Sequence, residues 1–100
     1  MRENKDAYIE KMTENLPVMR KKLRLSQEAL AEIIGMDRSS IARIETGKMK
    51  MSWSTFMLLL LLFDKNEATS DLLRTFKIYD ETIDDYINLE YKRVTNNTDK

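Results

Sequence analysis

The stretch LSQEALAEIIGMDRSSIARIETGK, residues 25–48, decides the fold of this chain of 100 residues. It contains two runs in which apolar side chains recur at helical spacing, and Gly35 separates them. Ser26 is a typical N-cap for the first run, and Asp37 is a typical N-cap for the second. Gly47 follows the second run, at a position where a left-handed residue commonly ends a helix. The pattern therefore predicts two short helices joined by a sharp turn.

The spacing of small and apolar residues within these runs is equally informative. Counted from Gln27 as position one, Ala31 stands at position five and Gly35 at position nine. Ile41 and Ile44 stand at positions fifteen and eighteen. A small residue permits two helices to cross closely, glycine permits the positive φ of the turn, and the isoleucines fill the core below. Together these positions define a helix-turn-helix.

The second run has an unusual outward face. A helical wheel of residues 37–46 places Ile41 and Ile44 on one side, together with Glu45. The other side carries Ser39, Ala42, Arg43 and Thr46, with Arg38 at its edge. Small side chains avoid clashes in a narrow space, and arginine can donate two hydrogen bonds to one guanine. This face is therefore a candidate surface for reading DNA in the major groove.

With this pattern, the stretch resembles the phage repressor and Cro class of helix-turn-helix domains, also called the xenobiotic-response-element family. The resemblance covers residues 16–63, roughly half of the chain, and rests on the joint pattern of LSQE, Ala31, Gly35, RSSI and IETG. It implies an all-α, lambda-repressor-like fold of five short helices, in which the third helix enters the major groove. Two positions depart from the family pattern. Met51 stands where many members have proline, and Arg24 stands where a glycine usually precedes LSQ.

The resemblance also implies roles for individual residues. The base-contacting positions of the family are occupied here by Arg38, Ser39, Ala42 and Arg43. The positions that contact the DNA backbone, which set affinity and register rather than sequence preference, are occupied by Gln27, Thr46, Lys48 and Lys50. In several relatives a partly buried ion pair holds the reading helix at its angle, and we expect it here between Arg20 and Glu45.

Composition limits the classes of function. The chain has no cysteine and no histidine, which are the commonest metal ligands and, for histidine, the commonest general base. We therefore expect no catalytic site, no metal site and no cofactor. The apolar run at residues 56–63 is far shorter than the roughly 20 residues of a membrane-spanning helix. Because no signal-peptide pattern opens the chain either, we expect a cytoplasmic protein without a membrane partner.

Charge is distributed unevenly, although the formal net charge is zero. Residues 16–50 contain eight basic and four acidic side chains, whereas residues 51–100 contain six basic and nine acidic ones. A basic surface in the first half can face a nucleic acid while the acidic second half is turned away from it.

The same reading predicts an organisation for the whole chain. We expect a weakly helical N-terminal arm (residues 1–12), a DNA-binding domain (13–64) with its helix-turn-helix at 26–46, a C-terminal helical segment for packing or dimerisation (65–94) and a disordered tail (95–100).

More detailed expectations concern the helices outside the central stretch. Pro17 suits only a first turn, so the first helix is expected to start at Thr13 or Asn15 and to end near residue 24. A fourth helix is expected from Ser52 or Ser54 to residue 63, followed by a loop over residues 64–70. The next apolar residues have the spacing of a packing seam, formed by Leu72, Phe76, Tyr79, Ile83 and Tyr86. The pattern leaves open whether this segment is one helix or breaks near Asp80, where Thr82 could cap a new start.

The function predicted from these features is sequence-specific binding of double-stranded DNA by a transcriptional regulator, most simply a homodimeric repressor of a roughly palindromic operator. A second hypothesis is an antitoxin-like module that binds its own promoter and captures another protein with its C-terminal helix. The acidic, aromatic region at residues 71–91 motivates it. An enzyme is the third class, which the absence of histidine, cysteine and a glycine-rich phosphate loop disfavours.

Overall fold

The computed structural model describes the backbone of residues 2–98 and the side chains of residues 4–96. Over this range the chain is entirely helical, which confirms the predicted all-α class. The six helices are α1 (Arg2–Lys22), α2 (Gln27–Ile34), α3 (Arg38–Glu45), α4 (Trp53–Lys65), α5 (Glu67–Thr75) and α6 (Glu81–Thr98). The first five form a five-helix body, as the resemblance implies. The predicted C-terminal segment at residues 65–94 begins too early, because α5 packs against α4 and α1 as part of this body, and only α6 is additional to it.

Helix α4 forms the centre of the core. It packs against α1, α2 and α5, which explains its buried apolar side chains, whereas Leu58 and Leu61 on its remaining side are exposed. Phe56, Leu59 and Phe63 are fully buried. Met51, in the connection between α3 and α4, is also buried in the core.

The turn between α2 and α3 has the predicted geometry. Ser26 accepts a hydrogen bond from the Ala29 N–H at 3.0 Å, and Gly35 is left-handed, with φ of 74°. Asp37 occupies the N-cap position of α3, although its side chain makes no capping hydrogen bond. Gly47, with φ of 77°, follows the end of α3. The two helices and the turn predicted between residues 26 and 46 are confirmed.

Arg24, the second departure from the family pattern, also has a left-handed backbone, with φ of 58°. This conformation costs little for glycine and more for a residue with a Cβ atom. The usual glycine at this position therefore has a conformational reason, and here an arginine adopts the same turn.

The prediction of a separate, weakly helical N-terminal arm at residues 1–12 is wrong for the described residues. One continuous helix runs from Arg2 through Pro17 to Lys22. Tyr8 and Ile9 are buried in the core, so the first turns of α1 are held by tertiary packing rather than by local propensity. Thr13 and Asn15 do not cap a helix start. Their side chains donate to the backbone carbonyl groups of the preceding turn instead.

The prediction of a loop at residues 64–70 is also wrong, because Asn66 alone separates α4 from α5. Its side chain donates to the Leu62 carbonyl group at the end of α4, at 2.7 Å. The fully buried Thr69 hydroxyl donates to the Phe63 carbonyl group at 2.6 Å. The polar residues of this segment form hydrogen bonds at the ends of two abutting helices, and the same kind of residues are common in loops.

The C-terminal segment breaks into two helices, so the alternative of a single helix is excluded. Lys77 has a left-handed backbone, with φ of 58°, and Asp80 accepts the Ile83 N–H at 3.3 Å. The new helix therefore starts after Asp80, and Thr82 is not its cap. The break also divides the predicted seam, because only Ile83 of its five residues is buried. Leu73 and Ile78 are the other buried side chains between residues 71 and 96.

Helix α6 extends to Thr98, so the described residues of the expected disordered tail, 95–98, are helical. No glycine or proline occurs in α6 to end it earlier. Residues 99–100 of that predicted tail lie outside the described residues.

A set of contacts holds the start of α6 against α1. The Tyr8 hydroxyl donates to Asp80 Oδ1 at 2.6 Å. The Lys5 ammonium lies 5.3 Å from the centroid of the Trp53 ring and 5.1 Å from that of Tyr86. Burial, together with the hydrogen bond to the Asp80 carboxylate and its charge, raises the pKa of Tyr8 to about 12.

Replacement of Tyr8 by phenylalanine should lower the free energy of unfolding at neutral pH by about 1 kcal/mol, because one hydrogen bond to a carboxylate is lost. The raised pKa of Tyr8 means that this contribution is complete below pH 10.0 and disappears as the pH rises to about 12. Urea titrations of both proteins over this range should therefore show the difference in stability shrinking. A difference that stays constant would contradict the role of the Tyr8 proton.

Candidate nucleic-acid interface

Helix α3 separates a buried side from an exposed side. Ile41 and Ile44 are fully buried and anchor the helix in the core. The opposite surface contains the residues predicted to contact bases: Arg38, Ser39 and Arg43 are exposed, and Ala42 is partly exposed. The fold therefore presents these four side chains together on one helix surface.

A three-residue network fixes α3 against α1 and α2. Arg20 donates from Nε to Glu45 Oε2 at 2.8 Å and from Nη2 to Glu45 Oε1 at 3.1 Å. Gln27 donates from Nε2 to Glu45 Oε1 at 3.0 Å. Only 11% of the Arg20 side chain and 6% of the Glu45 side chain are exposed. The two residues named from the resemblance as an ion pair thus form a bidentate, nearly buried one.

A further bond extends the network to the connection between α1 and α2. Arg20 Nη1 donates to the Leu25 carbonyl group at 2.9 Å. One guanidinium group therefore contacts both α3 and the entry to α2, so the angle between these elements depends on it.

The protonation state of Glu45 reflects this environment. Burial alone would raise the pKa of its carboxyl group. The hydrogen bonds from Arg20 and Gln27 and the charges of Arg20 and Lys21 outweigh burial and hold the pKa below its usual value. Glu45 is therefore ionised at neutral pH, and both arginine contacts are charge-assisted.

The bond from Gln27 to Glu45 was not predicted from the sequence. The resemblance assigned Gln27 to a phosphate group, but one of its two amide hydrogens is engaged within the protein. The available signal was positional, since both residues belong to the helix-turn-helix and face the same helix crossing. The second amide hydrogen and the amide oxygen are the groups that this geometry leaves for a ligand.

The other three residues predicted to contact the DNA backbone differ in the partners that their polar groups have within the protein. The Thr46 hydroxyl, at the C-cap position of α3, donates to the Ala42 carbonyl group of that helix at 3.0 Å. Lys50 pairs with Asp6 of α1 at 2.8 Å, and both side chains are mostly exposed. Lys48 is exposed and belongs to no ion pair within the described side chains. Of the three, Lys48 is the residue that can meet a phosphate without first breaking a contact.

The described part of the chain has neither a metal-binding cluster nor a membrane-spanning helix. Among the described residues, no group of three or more acidic, histidine or cysteine side chains could hold a metal ion. No helix in the described part of the chain is both long enough and apolar enough to cross a membrane.

Comparison with known proteins identifies the central part of the chain. A family model described as helix-turn-helix matches residues 19–67, just under half of the chain. The match includes α2, α3 and α4, and it contains every residue assigned above to base or backbone contact. No curated protein and no solved structure matches the chain significantly. The matched region is therefore a helix-turn-helix domain, which supports a DNA-binding transcriptional regulator.

Replacement of Glu45 by glutamine should lower the free energy of unfolding at neutral pH by about 3 kcal/mol, because the nearly buried Arg20 loses its counter-charge. Since the folded-state pKa of Glu45 is lowered, its contribution is present above the glutamate range near pH 4 and is lost as the pH falls through the folded-state value. Chemical denaturation of both proteins at neutral and acidic pH should show the two stabilities converging in acid. Equal stability at neutral pH would contradict the role of this charge.

Proposed function

We propose that this chain, whose residues 19–67 form a helix-turn-helix domain, is a sequence-specific, double-stranded DNA-binding regulator of transcription that acts as a homodimeric repressor in the cytoplasm. Helix α3 is the reading helix of the proposed complex. Its surface contacts bases through Arg38, Ser39 and Arg43, while Ala42 keeps the centre small.

The observation that carries this proposal is the exposed surface of α3. Neither Arg38 nor Arg43 forms an ion pair within the described side chains, so both guanidinium groups are available to an acceptor. The residues between them are serine, alanine and buried isoleucine, which leave room for a base edge to approach. Contact with solvent alone does not favour exposed arginines separated by small side chains, whereas binding in a major groove does.

The Arg20–Glu45–Gln27 network supports the same proposal. Base readout requires the reading helix to be held at a fixed angle, because hydrogen bonds to base edges tolerate little displacement. A nearly buried charge pair does not stabilise a fold more than well-packed apolar residues do. Its contribution here is orientation, which a DNA-reading helix uses directly.

A homodimer follows from the size of the reading surface. One eight-residue helix contacts only a few base pairs, and two helices related by a two-fold axis enter successive major grooves about 34 Å apart. The operator is then roughly palindromic. The resemblance to phage repressors favours repression over activation.

The antitoxin-like alternative rests on one observation. The second half of α6 exposes apolar side chains, which another protein could cover. Purification of the native protein that recovers only itself and DNA would count against this alternative.

Selection of bound sequences from a random pool of DNA duplexes tests the proposal directly. We expect enrichment of two related half-sites separated by about one helical turn, with binding that weakens as salt increases. A pool that remains random after repeated selection would contradict sequence-specific binding.

The two classes of contact make separable predictions. Replacement of Arg43 by alanine should cost about 1–3 kcal/mol on the selected site and relax the preference at one base pair. Replacement of Lys48 by alanine should weaken binding to all duplexes alike and reduce its salt dependence. Titrations of both variants on the selected site and on a scrambled site measure the difference. An Arg43 variant with unchanged affinity and preference would remove that residue from the reading surface.

The Lys50–Asp6 ion pair generates a further prediction. Since Asp6 competes with a phosphate group for Lys50, replacement of Asp6 by asparagine should tighten binding to any duplex by about two- to five-fold. Replacement of the exposed Glu67 on α5 by glutamine is the matched control, because it changes the net charge equally. An equal gain in both variants would show an effect of net charge alone.

A further inference from the structure

The connection between α1 and α2 contains a residue in an unfavourable backbone conformation. The Arg24 N–H donates to the Lys21 carbonyl group at 2.9 Å, and the Leu25 N–H donates to the Arg20 carbonyl group at 3.1 Å. This pair of bonds is the Schellman ending of a helix, which requires a left-handed residue just after the helix. That residue is Arg24, with φ of 58°. Glycine adopts this conformation freely, whereas a Cβ atom makes it costly.

The ends of other helices provide a comparison within the same chain. The left-handed residues that follow α2 and α3 are Gly35 and Gly47. The one that follows α5 is Lys77, which has the same φ as Arg24 and the same pair of backbone bonds. The turn itself therefore does not explain an arginine at position 24, because glycine would form it at a lower cost. The reason must lie in what the side chain contacts.

The Arg24 side chain has no charged partner in the described part of the chain. It is exposed and belongs to none of the ion pairs there. Glu28, the nearest acidic residue along the sequence, belongs to none of them either. The carboxyl end of the α1 dipole already has Lys21 and Lys22 in its last turn. The charge of Arg24 is therefore available to a ligand.

The position of Arg24 is beside the proposed interface with DNA. The carbonyl group of the next residue, Leu25, accepts a hydrogen bond from Arg20, and the same guanidinium group binds Glu45 of α3. Gln27 also binds Glu45 and keeps one amide hydrogen for a ligand. Phosphate groups recur about every 3.4 Å of helix axis along one DNA strand. A residue three positions before Gln27 is therefore close enough to meet a neighbouring phosphate.

We propose that Arg24 binds a phosphate group of duplex DNA, next to the phosphate that Gln27 approaches. This inference rests on the proposed function for the presence of DNA, and it adds a contact from the connection between α1 and α2. Arginine suits this role because its guanidinium group presents paired N–H donors to phosphate oxygen atoms. The left-handed turn then lowers the stability of the free protein, while the side chain strengthens the complex.

The variant Arg24→Gly separates these two effects. Because strain is removed, the urea midpoint of the free protein should rise. Because one phosphate contact is lost in each subunit, the slope of log affinity against log salt should decrease by about one per subunit. The loss of affinity should accordingly be about four-fold smaller at about 200 mM salt than at about 50 mM, again per subunit. The base preference should stay the same.

The variant Lys77→Gly is the matched control. It removes one positive charge and one left-handed side chain from an exposed position with the same turn, at the end of α5. Its urea midpoint should also rise, but its salt dependence should equal that of the unaltered chain. A second control, Arg24→Lys, keeps a positive charge at the site and should therefore keep the salt dependence.

Ethylation of single phosphate groups locates the contact on the selected duplex. In the unaltered chain and in Lys77→Gly, the same set of ethylated phosphates should interfere with binding. In Arg24→Gly, one position in each half-site should stop interfering, because the side chain that needed it is gone.

Three results would overturn the inference. Equal salt dependence of Arg24→Gly and Lys77→Gly would remove Arg24 from the interface. A urea midpoint that falls in Arg24→Gly would assign the side chain to the fold instead. A changed base preference in that variant would make Arg24 a reading residue rather than a phosphate contact.

Failure of the proposed function would give a different result. If the unaltered chain binds duplexes without sequence preference and Arg24→Gly still reduces the salt dependence, the proposed function is rejected and this inference stands. Sequence-specific binding that does not depend on Arg24 would do the reverse. An unaltered chain that binds no duplex would reject both.

Discussion

The Glu45 carboxylate is the acceptor on which the geometry of the interface depends. Two helices reach it, through Arg20 of α1 and Gln27 of α2, and it belongs to α3. Because the group is nearly buried, its charge must be matched, and the matching donors come from fixed positions on other elements. An apolar contact at the same place could slide or rotate at little cost. A bidentate ion pair cannot, since each displaced donor leaves a buried charge less satisfied. The orientation of α3 therefore follows from the need to neutralise one carboxylate.

The sequence was most informative where local geometry and long-range packing impose the same residue. Ser26, Gly35 and Gly47 each have a backbone reason for their position, and the structure shows the expected capping bond and both positive φ values. Ile41 and Ile44 were assigned to the core from helical periodicity alone and are fully buried. Capping residues, left-handed glycines and helical periodicity can be recognised without knowing the packing partners, because the geometry of the helix and its turn requires them.

Prediction from the sequence failed where a local signal was ambiguous and tertiary contacts decided the outcome. Pro17 and the polar residues before it suggested a late start for α1, but the burial of Tyr8 and Ile9 extends the helix to its first turns. The polar residues around Asn66 suggested a loop, yet they satisfy the ends of two helices. The contacts of Gln27 with Glu45 and of Lys50 with Asp6 were also not foreseen, because side-chain pairing across helices leaves no periodic trace in the sequence. The contacts of the predicted reading residues with DNA remain predictions.

A net charge of zero is compatible with DNA binding because the helices separate the charges in space. Arg38, Arg43 and Lys48 lie on or just after α3, and none of them forms an ion pair within the described side chains. The acidic residues of α6 lie on a different helix. The start of that helix is held against α1 by the hydrogen bond from Tyr8 to Asp80. At ordinary ionic strength the Debye length is about 8–10 Å, so a phosphate group near α3 responds mainly to the charges within that distance. Asp6 lies beside Lys50, which is predicted to contact the DNA backbone, so in the proposed complex its carboxylate competes with a phosphate group for that lysine.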